Sequence, residues 1–385
     1  MLIFNAKIFP MEGQPIENGW VEAENGKIKA LGEGAPRARA RDTERFDAKG
    51  GVVTPGFVDA HTHLGMSEDS LTFEGDDLNE DTDPASPQLS AVDAVNPMDR
   101  CFDDALSAGV TTVITGPGSA NPMGGRLIAL KTAGRRVDSM LLKSPVAVKF
   151  ALGENPKVTY HENHETPVTR MATAAIIREQ LYKAQRYLKK QEEARADEDA
   201  EEPDFDYKCE ALLPLLRRQV QAHFHAHRAD DIFTAIRIAR EFSLDYVIVH
   251  GTDGHLIAEE LREEGARVLS GPFLCDRCKP ELHNQTPRCP GVLEAAGVPV
   301  AIITDHPVVP IEYLPLCAAL AVKNGMSYEA ALQAITINPA RITGLGARVG
   351  SLLPGKDADL AVFDGDPLAL STRVKFVAVN GKRVK

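Results

Sequence analysis

The sequence predicts an α/β fold: a TIM-type (β/α)8 barrel over residues 55–346, with a small β-sandwich domain built from both chain ends, 1–54 and 347–385. Three observations lead there. Between about 55 and 346, short apolar runs alternate with helical stretches, the pattern of strands joined by crossover helices. Both ends hold β-prone runs broken by turns, and neither has enough apolar residues for a stable core of its own. The length of 385 residues suits one large barrel with an accessory domain better than a single small core.

Taken in order, Val21–Ala23, the turn Asn25-Gly26 and Lys27–Leu31 read as a hairpin. Candidate barrel strands are Gly109–Ile114, Val146–Phe150, Val220–His225, Tyr246–His250, Arg267–Leu269 and Val298–Thr304. A helix is expected from Thr169 to about Glu193, with Met171, Ala175, Leu181, Ala184 and Leu188 at helical spacing. The charged, Pro-interrupted tract at 195–206 reads as a solvated loop without a chemical role. Near the C-terminus, Asp359–Phe363 and Val377–Val379 read as strands, and Asn380-Gly381 as a turn.

Composition narrows the function. A net charge of −12 argues against nucleic acid and anionic membrane as partners. No apolar run approaches the roughly 18 residues of a bilayer span. Met1-Leu2-Ile3-Phe4 leads into a polar, turn-rich segment without a basic region, so no secretory signal is expected. The six cysteines are expected to be free thiols, and the compartment cytoplasmic. A small-molecule substrate is expected, with a homo-oligomer left open.

The chemistry is organised around Val52-Val53-Thr54-Pro55-Gly56-Phe57-Val58-Asp59-Ala60-His61-Thr62-His63. Read as a strand, it puts Phe57, Asp59, His61 and His63 on one face, and Val58 and Ala60 on the other. Two imidazoles about 7 Å apart at a strand end can converge on one ion. A bare His-x-His is more often two half-buried histidines; the full string is far more specific. It resembles the first barrel strand of the metal-dependent amidohydrolase superfamily, and Pro354-Gly355-Lys356-Asp357-Ala358-Asp359-Leu360 resembles that family's C-terminal return into its β-sandwich. The run Lys149-Phe150-Ala151-Leu152-Gly153-Glu154-Asn155-Pro156-Lys157 resembles the imidazolonepropionase-like branch.

The resemblance implies a distorted TIM barrel with metal ligands His61, His63, Lys149, His225, His250 and Asp305. Lys149 ends an apolar strand, where a bare ammonium is costly to bury. In binuclear relatives such a lysine becomes a carbamate that bridges two metals; a structural ion pair is the bland alternative, and Glu154 is a competing carboxylate. His223, His225 and His227 share one strand face, and His225 is the implied ligand, with its two neighbours as alternatives. His250 ends the strand Tyr246–His250. Asp305 follows Val300–Thr304, with His306 beside it as a departure from the family pattern.

The implied activity is metal-dependent hydrolysis of a C–N bond in an amide, cyclic amide or dipeptide-like substrate. Asp305 would act as general base and acid, with His250 also in the catalytic set. Imidazole and carboxylate donors suit one or two Zn²⁺ ions, with Mn²⁺, Fe²⁺ and Co²⁺ as alternatives. The rivals are a mononuclear deaminase or imidazolonepropionase-type site and, less favoured, a non-catalytic binding protein. Cys275, Cys278, His283 and Cys289 approach zinc-knuckle spacing but fall where the family has a substrate loop. There Arg277, Lys279 and Asn284, together with His227, are the expected substrate contacts. The acidic loop after His63, from Glu68 to Asp83, is either surface acidity or an attractor of cationic substrate.

Overall fold

The computed structural model describes residues 1–36, 44–69 and 72–385. The N-terminal part supplies β1 (Leu2–Ile8), β2 (Ile16–Glu24), β3 (Lys27–Glu33), β4 (Arg45–Asp47) and β5 (Val52–Pro55). The expected hairpin joins β2 to β3. Its Asn25-Gly26 turn has φ values of 52° and 78°, the left-handed pair that suits a two-residue hairpin loop.

The barrel strands follow: β6 (Phe57–Thr62), β7 (Val110–Thr115), β8 (Met123–Lys131), β9 (Leu141–Ala151), β10 (Gln221–Ala226), β11 (Tyr246–His250), β12 (Val268–Ser270) and β13 (Val300–Ile302). They pair in chain order into one eight-stranded sheet. Every pairing is parallel except those of β8, which runs antiparallel to both neighbours. This strand is missing from the expected set; Asn121-Pro122 before it and Gly124-Gly125 within it are residue types that favour turns. It is the distortion of the barrel.

No ladder joins β13 to β6 among the described residues; hydrogen bonds beyond the strand ends close the seam. Asp59 Oδ2 accepts from the Thr304 amide (3.1 Å) and hydroxyl (2.6 Å), and the His63 amide donates to the His306 carbonyl (2.8 Å). Alternate strand residues fill the interior: Val58, Ala60, Ile114, Leu127, Ala129, Val247, Val249, Leu269, Ala301 and Ile303 form one cluster. Ala340, Ile342, Leu345 and Val349 join it from the helix Ile337–Ile342 and the turns after it. Strict alternation along 57–63 is therefore corrected. Val58 and Ala60 lie inside the barrel, while Phe57 packs in the outer cluster against Phe363. A register shift between Asp59 and Thr62 puts one extra residue in β6, and this bulge turns His61 to the same side as Ala60.

Outside the barrel, the helix Arg170–Ala196 starts at Thr169, whose hydroxyl accepts from the Ala172 amide. Its buried stripe is Thr173, Ala174, Ile177, Leu181, Ala184 and Tyr187. Met171, expected in that stripe, is 80% exposed. No helix among the described residues is long and apolar enough to cross a membrane. All six cysteines are free.

The C-terminal strands β14 (Leu360–Phe363), β15 (Val374–Val379) and β16 (Lys382–Arg383) complete a second sheet in the order β16-β15-β14-β5-β1-β2-β3, with β4 paired to β1. Its strands share one apolar cluster that includes Ile3, Ile8, Val21, Val53, Leu360, Val362 and Phe376. The chain passes from β5 to β6 through Gly56 alone, and a Cβ there would lie 2.0 Å from Thr111 Oγ1. Only glycine fits. The two sheets are also tied by buried charge. Lys131 on β8 pairs with Asp357 (3.0 Å) and Asp359, and Asp357 also meets Arg348 (2.9 Å). These aspartates belong to the Pro354–Leu360 motif. Truncation at residue 346 should strip the partners from β5 and leave Lys131 buried without a counter-charge, giving aggregated protein. Size-exclusion chromatography checks this; a soluble, fully active truncation would refute it.

Candidate metal centre at the barrel mouth

The strand ends converge at one mouth. His61 is the last residue but one of β6 and His63 follows the strand; Lys149 lies on β9, His223 and His225 on β10, and His250 at the end of β11. His227 and Asp305 come just after β10 and β13. All but Asp305 are buried; Asp305 is partly so. Two groups of donor atoms result. His61 Nε2 and His63 Nε2 lie 3.3 and 3.4 Å from Asp305 Oδ1. His225, His227 and His250 form the second group, with donor atoms within 4.8 Å of one another. Ring centroids of His61 and His250 are 5.6 Å apart, so the groups are neighbours.

Local backbone makes this possible. By alternation His250 would follow Ile248 outward, but its φ of 74° turns it back, and Asp305 has a φ of 55°. Left-handed non-glycine residues at strand ends cost on the order of 1–3 kcal/mol each and are held by their surroundings. Hydrogen bonds set the tautomers. Nδ1 of His63 donates to the Gly116 carbonyl (2.7 Å) and Nδ1 of His250 to the Gly271 carbonyl (2.8 Å), leaving each Nε2 a lone pair. His227 Nδ1 meets the Thr252 hydroxyl at 2.8 Å. The buried Nε2 atoms of His225 and His250 have no hydrogen-bond partner. Buried nitrogens left unpaired are costly, and a shared cation satisfies both. The donor set fits a divalent ion.

Burial holds the imidazoles of His223, His225 and His250 down to about 3, and those of His61 and His227 well below their ordinary value. They are neutral, the state in which an imidazole can hold a metal. Burial would raise the Asp305 carboxyl, but the surrounding imidazoles of His250, His61 and His63 hold it well below the usual range. Lys149 Nζ is 3.1 Å from His61 Nε2, and burial brings its ammonium down to about 8 against the pull of Asp305.

Of the other expected residues, His223 lies deeper, opposite Lys149 in the ladder, with Gln221 at 3.4 Å. Arg277 holds the Gln285 carbonyl (2.8 and 3.1 Å), Lys279 pairs with Glu281 (2.8 Å) and Asn155 (2.6 Å), and Asn284 donates to Asp253 (3.0 Å). All three tie down the loop after β12. Glu154 starts the helix Glu154–Glu162 and joins neither donor group. Cys278 and His283 are exposed, Cys275 accepts from Gln285, and among the described residues no cysteine enters a metal-capable group. His306 accepts from the Ile311 amide. In the acidic loop, Glu74, Asp76, Asp77, Glu80 and Asp81 are solvated.

One residue went unseen. Glu281, 2% exposed, sits with Oε1 3.7 Å from His227 Nε2 and 3.9 Å from His225 Nε2. In sequence it is one acid in a polar loop, and no local signal marks it.

A barrel whose strand ends aim imidazoles and an aspartate at shared points defines a metal-dependent hydrolase. The chain belongs to the amidohydrolase family, which it matches over residues 52–385. It is 31% identical to the amidohydrolase tasK of Hapsidospora irregularis over 99% of this chain, yet spans only 42% of that protein's length. It is 28% identical to the imidazolonepropionase of Paracoccus denitrificans over 100% of this chain and 98% of that one. A crystal structure of an amidohydrolase from Thermotoga maritima superposes with a TM-score of 0.96 at 42% identity, covering 100% of this chain and 99% of the other. The protein is an enzyme, a metal-dependent hydrolase of C–N bonds.

The neutral imidazoles carry a pH signature. Unfolded histidines take up protons as pH falls through about 6.5, whereas His223, His225 and His250 in the fold wait until about 3. The unfolded chain binds more protons in that window, so stability falls with pH. Asp59, pushed by burial up to about 7, acts in the opposite sense but is one group against three. Chelator-treated protein should therefore melt progressively lower from pH 6.5 to pH 4. An unchanged melting temperature would show that the imidazoles titrate freely.

Proposed function

We propose that the enzyme hydrolyses an amide, cyclic amide or dipeptide-like small molecule at a two-ion centre. His61, His63 and Asp305 would hold one ion and His225 and His250 the other. The observation that carries this reading is the pair of adjacent donor groups, each spaced for a cation. Zn²⁺ suits them, with Mn²⁺, Fe²⁺ and Co²⁺ as alternatives. A divalent cation supplies a water acidified toward neutrality and an electrophile for the substrate carbonyl. Asp305, ionised and at the mouth, takes the proton from the attacking water and returns it to the leaving nitrogen. The buried imidazoles keep their Nε2 lone pairs free and exclude bulk water.

Lys149 is the group to join the two sites. Its lowered pKa gives it a neutral amine near pH 8, which can add to CO₂, lose a proton and become a carbamate anion. The same reading takes 1–54 with 347–385 as one unit and 55–346 as the catalytic one.

A mononuclear, imidazolonepropionase-type site is the second reading, favoured by the full-length likeness to imidazolonepropionases. Metal stoichiometry separates the two. His61→Ala should cost more metal affinity than the roughly 10–100-fold of an outer-sphere change, and abolish turnover of whichever dipeptide, N-acyl amino acid, hydantoin or imidazolone a screen identifies. Full metal content with unchanged turnover would overturn the proposal. Lys149→Ala should drop the stoichiometry from two ions toward one, with partial rescue by short carboxylic acids. An unmodified native mass with one tightly bound ion would promote the mononuclear reading.

A further inference from the structure

The loop from Gly271 to Arg288 leaves the end of β12 and crosses the mouth toward β9 and β10. At Pro280–Leu282 it forms a single turn that drives the Glu281 side chain inward. One carboxylate oxygen, Oε2, accepts from the Glu154 amide at 2.9 Å, which anchors the turn to the start of the helix after β9. The other, Oε1, faces the second donor group at 3.7 Å from His227 Nε2 and 3.9 Å from His225 Nε2. Gly153 leaves the space for it, since a Cβ there would lie 2.7 Å from Glu281 Oε2.

Around an ion with bonds of about 2.0–2.2 Å, tetrahedral donors stand about 3.3 Å apart. Asp305 Oδ1 already stands at that spacing from both His61 and His63. Glu281 Oε1 stands about half an ångström beyond that spacing from His225 and His227, and it brings the second group to four donors rather than three. Lys279 pairs with the buried Glu281 carboxylate at 2.8 Å while 27% exposed and is also held by Asn155 at 2.6 Å, so a metal ion at Glu281 would displace only one of its two partners.

We propose that Glu281, together with His227, completes the coordination of the ion held by His225 and His250, so that this ion fastens the loop 271–288 over the barrel mouth. The proposal rests on the two-ion reading above. It makes the centre asymmetric: the second ion takes four side-chain donors besides the carbamate at Lys149, and the open position belongs to the ion at His61, His63 and Asp305. It also gives the loop a metal-dependent order that no arrangement confined to strand ends would produce.

The test is metal titration of the chelator-treated full chain with Zn²⁺ alone, read by calorimetry and by amide hydrogen exchange across 271–288. Wild type should bind two equivalents, the second protecting the loop. Glu281→Gln should keep one equivalent, weaken the other at least 10-fold and lose the zinc-dependent protection, with Glu281→Asp intermediate. Two equivalents of unchanged affinity in Glu281→Gln, or loop protection indifferent to zinc, would overturn the proposal while leaving the two-ion centre standing. A wild type that binds a single equivalent, lost in His61→Ala and kept in Glu281→Gln, would overturn both.

Discussion

The Asp59 carboxylate lies where the first and last barrel strands meet without a ladder, and the rest of the centre depends on it. One oxygen accepts from the His61 amide (3.2 Å), the other from the amide and hydroxyl of Thr304. It therefore grips the residue two places ahead of it on one side and the neighbour of Asp305 on the other. Burial pushes this carboxyl up to about 7, so the seam is closed at an electrostatic cost. Its hydrogen bonds offset that cost, and without it the buried Thr304 amide would lose a partner worth about 1–3 kcal/mol in desolvation. The bulge in β6 and the left-handed turn at Asp305 flank this tie. Both redirect candidate donor side chains into one mouth.

Exclusion of water is the second constraint. Imidazoles that stay neutral far below their ordinary pKa, beside an aspartate that stays ionised, form a site charged for cations before any arrives. Lys149 is the exception, a cation among donors, and its lowered pKa is the consequence of the same burial. The terminal sheet supports this from below. Lys131, Asp357 and Asp359 form a buried ion cluster that ties the C-terminal motif to β8, the strand that runs against the others. Loss of any one member of this cluster would leave an uncompensated buried charge, which is costly.

Much of the candidate centre was legible because each expected donor stands at or near the end of an apolar run. His61, His63, His225, His250 and Asp305 all stand where a hydrophobic strand stops, and the mouth is where those stops meet. The hairpin at Asn25-Gly26 and the return through Asp357 and Asp359 carried comparably strong local marks. β8 did not, because its glycines resemble turn. Nor did the face of the Arg170–Ala196 helix, where Met171 and Ala175 share a spacing with buried residues yet point outward.

By itself the sequence determined the alternation of strands and helices, the chain ends that need each other, and the residue types able to hold a cation. These are local properties, set by period, turn chemistry and the side chains themselves. Only the tertiary structure decided that β8 runs antiparallel, that Val58 and Ala60 face inward with His61, that His227 joins His225 and His250, and that Glu281 reaches them. Each of these depends on a register shift, a backbone torsion or a contact such as that between Glu154 and Glu281, 127 residues apart. A period-two pattern cannot count an extra residue in a strand, and no local pattern records the path of a loop across the mouth of a barrel.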